Sequence, residues 1–120
     1  MSTLDTIRDA LGKVERPDRL YYGVAAKLPK DAPWDYMVFS RDGVAPKASL
    51  TGFTHLYIVA VVREGYVPEG LDLEIIEAME KIPGMKLNRA ASIEYLYTVK
   101  PGTQDTVEEM VLHFAKAVKS

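Results

Sequence analysis

Apolar positions are densest between Phe53 and Glu64, in the run Phe-Thr-His-Leu-Tyr-Ile-Val-Ala-Val-Val-Arg-Glu. Its odd positions hold Phe53, His55, Tyr57, Val59 and Val61, and its even positions hold Thr54, Leu56, Ile58, Ala60 and Val62. Both sets are mostly apolar and rich in β-branched or aromatic side chains. Such a pattern predicts a strand in the middle of a sheet, with something packed above and below it.

The rest of the chain arranges itself around that strand. Leu4, Ile7, Leu11 and Val14 recur at three- and four-residue steps, with Asp5, Arg8, Asp9 and Lys13 on other faces. This predicts an amphipathic helix capped by Ser2 or Thr3. Gly12 weakens it from inside, and Arg16-Pro17-Asp18 ends it. Leu20 to Leu28 predicts a first strand, in which Gly23 marks a bulge or a close approach. A Pro-punctuated loop from Lys27 to Pro33 leads to a second strand, Trp34 to Ser40. Asp42-Gly43 is a hairpin signal, but Val44 to Gly52 is small, polar and interrupted by Pro46. Residues Arg41 to Gly52 are therefore expected to form a long, mobile hairpin arm rather than a tight turn.

After the central strand, Gly65 to Gly70 reads as a turn. Leu71, Ile75, Ala78, Met79 and Ile82 mark one face of a second helix, stopped by Pro83-Gly84. From Arg89 to Lys100 a strand is predicted, with Ala91, Ile93, Tyr95, Tyr97 and Val99 on one side. Ser92, Glu94, Thr98 and Lys100 take the other, with Leu96 the exception, which suits a sheet covered on one face only. Pro101 to Thr106 is a turn. The last segment fits two patterns: a helical stripe of Val107, Met110, Val111, Phe114 and Val118, or a strand alternating through Met110, Leu112 and Phe114. Composition leans to helix and the short preceding turn leans to a hairpin, so the residues leave both open.

At 120 residues the chain reads as one domain, 1–120, able to bury a core without staples. Fifteen basic against seventeen acidic residues argue against nucleic acid as a main partner. The lack of cysteine removes disulfides, thiolate catalysis and Cys-type metal sites together. Charges fall within Met1 to Ala10, where a signal peptide needs an apolar run, and no stretch reaches the roughly 18 apolar residues of a membrane span. A cytoplasmic protein with no membrane partner is expected.

Catalytic patterns are weak. His55 and His113 lack the spacing of a metal site, Glu109 to His113 has no third ligand, and a satisfied structural histidine is the expectation for each. Glu108 and Glu109 are adjacent, so they point in different directions, and a solvated edge is expected for the pair. The glycines form no phosphate loop, and Ser40, Ser49 and Ser92 lack a nucleophile-elbow setting. The seven tyrosines suit a half-buried sheet face or a subunit interface better than base stacking, since no basic residues interleave them. The sequence predicts no enzyme, no cofactor and no metal.

Several stretches, taken together, resemble the tail-terminator (tail-completion) proteins of long-tailed bacteriophages and their prophage relatives. They are Pro33-Trp-Asp-Tyr36-Met-Val-Phe39, the strand-into-turn run Leu56 to Gly70, and Ile75 to Ile82 leading to Gly84-Met-Lys-Leu87. The closing Tyr97-Thr-Val-Lys-x-Gly, Thr106-Val-Glu-Glu-Met and Phe114 complete the likeness, which is one of spacing over nearly the whole chain. In that family the last segment pairs as a strand, so the resemblance implies strand for Val107 to Val118, against its helical propensity. The expected fold is then α+β: a mixed or antiparallel sheet of about five strands with two helices packed on it, in the order α-β-β-β-α-β-β. The resemblance implies a structural role. About six copies would close into a ring on the end of the tail tube, stop its growth and offer a surface to the head and neck proteins. Assembly would occur in the host cytoplasm, and the protein would end in the virion. Arg41, Asp42, Lys47, Arg63 and Arg89 stand as candidate polar contacts at interfaces, against the ordinary reading of each as solvated surface. The alternatives are a small α+β ligand-binding or regulatory module, with a pocket between helices and Tyr-rich sheet, or a neighbouring head–tail adaptor or minor capsid protein.

Overall fold

Phe53 to Glu64 lies at the centre of a six-stranded mixed sheet in the computed structural model, which describes residues 2–14, 19–25, 33–46 and 52–119. In chain order the elements are α1 (Thr3–Gly12), β1 (Arg19–Tyr22), β2 (Asp35–Pro46), β3 (Gly52–Glu64), α2 (Leu71–Glu80), β4 (Met85–Leu87), β5 (Glu94–Val99) and β6 (Thr106–Lys119). The fold is α+β. β3 pairs antiparallel with β2 on one side and with β6 on the other, and β1 joins β2 in parallel. On its far side β6 holds both β5, opposite its first half, and β4, opposite Phe114 to Lys116.

α1 begins at Ser2, whose hydroxyl accepts the Asp5 N–H at 3.1 Å while the Asp5 carboxylate accepts the Ser2 N–H at 3.3 Å. This reciprocal cap satisfies two amide donors that the helix itself cannot. Ile7 and Leu11, one turn apart, are fully buried. α2 buries Leu71, Ile75 and Met79 at four-residue steps, and Asp72 and Glu74 stand in its first turn, where the helix dipole favours anions. Both helices sit on one side of the sheet. Their apolar stripes meet Met37 and Phe39 of β2, Tyr57, Val59 and Val61 of β3, and Met110, Leu112 and Phe114 of β6. The register sets these in rows across the sheet, Met37–Val61–Met110 and Phe39–Val59–Leu112. Each fully buried side chain of this kind stabilises the fold by about 1.5–3 kcal/mol.

Val107 to Val118 is strand, as the resemblance implied: its alternation places every second side chain in the core, and pairing with β3 along its length overrides helix propensity. Several other expectations need correction. The predicted strand from Arg89 starts only at Glu94. Asn88 turns the chain first, its side chain accepting the Ala90 N–H at 3.2 Å and its carbonyl the Ala91 N–H at 3.1 Å. β4 was not anticipated, because three residues show no alternation. The first strand is shorter than predicted, ending at Tyr22, and the remainder from Ala26 lies outside the described residues. Asp42-Gly43 makes no tight turn, in line with the expectation, but Arg41 to Pro46 of the expected arm are strand. β2 continues through a bulge between Arg41 and Gly43, and Val44 to Pro46 pair with His55 to Phe53. Gly43 is the residue that permits this bulge, with φ at +133°. The part of the expected arm from Lys47 to Thr51 lies outside the described residues. On β3 the helices cover one face; on the other Val62 is buried and Ile58 and Ala60 are half-buried.

Candidate functional site

The sheet face turned away from the helices is apolar too, and among the described residues no helix lies on it. Here Val38 of β2, Ala60 of β3 and Val111 of β6 form one row, flanked by the rows Tyr36–Val62–Glu109 and Ser40–Ile58–His113. Val62 is buried, and the others in these rows are half-buried. A concave groove of about 280 Å³ follows Val38, Ile58, Ala60 and Val62, walled on one side by Gly23 to Ala25.

Polar and aromatic groups close the two ends of this face. At one end the Glu64 carboxylate accepts the Trp34 N–H at 2.8 Å and an N–H of Lys100 Nζ at 2.6 Å. The hydrogen bond from Lys100, with that from Trp34, holds the Glu64 carboxyl below the usual range. Lys100 Nζ also stands 5.8 Å from the centre of the Trp34 ring. Tyr36 packs edge-on against Tyr21 and Trp34, and burial, with the nearby Glu109 carboxylate, pushes its hydroxyl pKa up.

At the other end His113 of β6 is held between two carboxylates. Asp42 Oδ2 lies 3.4 Å from Nδ1, and Glu94 Oε1 lies 3.1 Å from Nε2. His113 thereby ties the β2 bulge to β5. The two carboxylates face opposite ring nitrogens, so they do not converge on one point as metal ligands would. Among the described residues no group of three His, Asp or Glu side chains is arranged to hold a metal.

Glu108 departs from the solvated edge expected for it. It points to the helix side, is buried, and accepts the Val67 N–H at 2.7 Å. Tyr97 donates its hydroxyl to the same carboxylate, which raises the tyrosine pKa. Glu109 lies on the opposite face, as adjacent strand residues must. The sequence held a signal for Glu108, since it shares strand parity with Met110, Leu112 and Phe114. It held none for the His113 clasp, whose partners are 71 and 19 residues away.

The five candidate contact residues are not gathered in one place. Arg41 precedes the β2 bulge and Asp42 sits in it, both exposed, while Arg63 lies about 20 Å along β3 from Arg41's pairing position, opposite Asp35 and Glu108. Arg89 is exposed in the turn after β4, and Lys47 lies outside the described residues. Only Asp42 makes a side-chain contact described here, with His113.

The pocket expected between helices and sheet is occupied by the core. A groove of about 590 Å³ lies instead between α1 and α2, and its charged rim of Asp9, Lys13, Glu74, Glu77 and Lys81 is exposed. No helix among the described residues is long and apolar enough to cross a membrane. Neither a family model nor a curated protein matches the chain.

Proposed function

We propose that this chain is a structural assembly protein, a ring-forming tail terminator of a long-tailed bacteriophage or prophage. It closes the tail tube and presents the surface to which the head and neck proteins join, and it assembles in the host cytoplasm. The observation that carries this reading is the apolar outer face of the sheet. β3 is apolar on both sides, the two helices among the described residues cover one, and in this reading a partner molecule packs on the other. The molecule is also elongated, 51 Å against 27 and 25 Å, with long paired strands that offer partners an extended surface.

For a ligand-binding module the roomier of the two grooves described is that between α1 and α2. Its exposed rim mixes acids and bases, so it selects no charge class of ligand. The assembly reading is tested by withdrawing the protein from cells that produce the phage and imaging the particles. Tubes of uncontrolled length lacking heads are expected; tails of normal length joined to heads would overturn the proposal.

A further inference from the structure

β5 lies at the edge of the sheet, and among the described residues it pairs with β6 alone. All six of its residues are exposed. Natural edge strands are blunted by Lys, Pro or a bulge, and Glu94-Tyr-Leu-Tyr-Thr-Val99 carries none of these. One bond fixes which of its backbone groups point outward. The Lys100 N–H donates inward to the Asp105 carbonyl at 3.0 Å, and inward and outward residues alternate along an antiparallel pair. Glu94, Leu96 and Thr98 therefore bond to β6, while the N–H and C=O groups of Tyr95, Tyr97 and Val99 face away from it. The side chains divide by the same parity. Tyr95, Tyr97 and Val99 lie on the helix side with Met110 and Glu108, and Glu94, Leu96 and Thr98 lie on the outer face with Glu109 and Val111.

This edge is complementary to itself. A two-fold axis perpendicular to the sheet sets β5 of two copies antiparallel, with like faces on the same side. With the axis at Tyr97, each Tyr97 faces its counterpart and each Tyr95 faces Val99 of the second copy, so every outward backbone group gains a partner. On the helix side the facing pairs are then aromatic with aromatic and aromatic with β-branched, both favoured across a sheet. On the outer face Leu96 meets Thr98, and Glu94 meets Lys100. That last pair joins opposite charges. Lys100 Nζ gives one N–H to Glu64 at 2.6 Å and keeps others for Glu94 of the second copy, whose own carboxylate lies 3.1 Å from His113. Other axes fit less well. At Leu96 the axis sets Val99 against Ile93, beyond the end of β5, and Glu94 against Thr98; at Thr98 it sets Tyr95 against Pro101, which has no N–H.

We propose that β5 pairs with β5 of a second copy about a two-fold axis at Tyr97, running one sheet through both molecules. The pairing goes beyond the ring reading and does not depend on it. In a closed assembly of six copies the pair is the repeating unit.

The chain has no cysteine, so a single introduced thiol reports the contact cleanly. In this register two Tyr97 Cα atoms stand about 5.5 Å apart, inside the roughly 4.4–6.8 Å that a disulfide spans. Tyr95 is offset from its counterpart by about 13 Å, too far to link. The test places Tyr97→Cys, Tyr95→Cys and Val99→Cys chains in a glutathione redox buffer, with circular dichroism to check the fold. Tyr97→Cys is expected to link to itself, and Tyr95→Cys and Val99→Cys to link to each other in a mixture but not alone. In the wild type, hydrogen exchange should show the Tyr95, Tyr97 and Val99 amides becoming protected as concentration rises. A folded Tyr97→Cys chain that does not link, or a Tyr95→Cys chain that links to itself, overturns the register. Wild-type β5 amides that exchange equally fast at every concentration overturn the pairing, whatever the variants do. Six wild-type copies with β5 unprotected sink the pairing alone, and linked pairs that stop at two copies sink the ring alone.

Discussion

Replacing Glu108 with Ala is expected to destabilise the fold by about 2–3 kcal/mol. The carboxylate accepts the Val67 N–H at 2.7 Å, and both residues are buried, Glu108 at 8% exposure and Val67 at 7%. With the carboxylate gone the amide has no acceptor in the described structure, and a buried donor left unpaired costs about 1–3 kcal/mol. A hydrogen bond to a charged group contributes about 1.5–3 kcal/mol, the same quantity seen from the other side. Glu108→Gln keeps an acceptor oxygen and should cost about 1 kcal/mol. Glu109→Ala, one residue along but on the opposite face, should stay within about 0.5 kcal/mol. Urea unfolding followed by circular dichroism, at a concentration low enough to exclude assembly, measures all three. For a chain of this length, near 0.25 kcal/mol of unfolding entropy per kelvin turns 2.5 kcal/mol into a melting shift of about 10 °C. A Glu108→Ala protein within about 0.5 kcal/mol of wild type would refute the reasoning.

Gly43→Ala tests the bulge: no atom lies within 4 Å of the added methyl group, so the expected loss of about 1–2 kcal/mol comes from φ at +133° alone and is read by the same unfolding assay. Ile58→Thr and Val59→Thr test the one-sided sheet. The hydroxyl that Val59→Thr buries should cost about 1–3 kcal/mol, while Ile58→Thr, at a half-buried position, should cost less than about 1 kcal/mol yet weaken attachment to tail tubes in a pull-down. Glu64 supplies a pH dependence. Lys100 and Trp34 lower its pKa in the folded state, so its contribution is present above the ordinary Glu value of about 4.3 and is lost as the pH falls through the lowered folded value. Wild type should exceed Glu64→Gln by no more than about 1 kcal/mol at pH 6, with the gap closing by pH 2–3 in urea titrations.

The centre of the fold was legible because β3 carries apolar residues at every second position twice over. The same signal records that both faces of β3 are apolar and not which groups cover the second. The helices were legible from i, i+4 pairs such as Ile7–Leu11 and Ile75–Met79. β6 fits both periods, and only its pairing with β3 decides between them. Glu108 was misread because its neighbour Glu109 suggested a solvated pair, although its parity with Met110 placed it inward. The Asp42–His113–Glu94 clasp joins three strands distant in sequence, so no local pattern contained it.

Solution mass across a concentration series, by light scattering on the purified wild-type chain, tests the assembly claim most directly. With a chain of 13.4 kDa, the account predicts conversion to a closed species of about 80 kDa, six copies, and no larger series. A mass that remains at 13.4 kDa, or halts at a stable dimer, would contradict it.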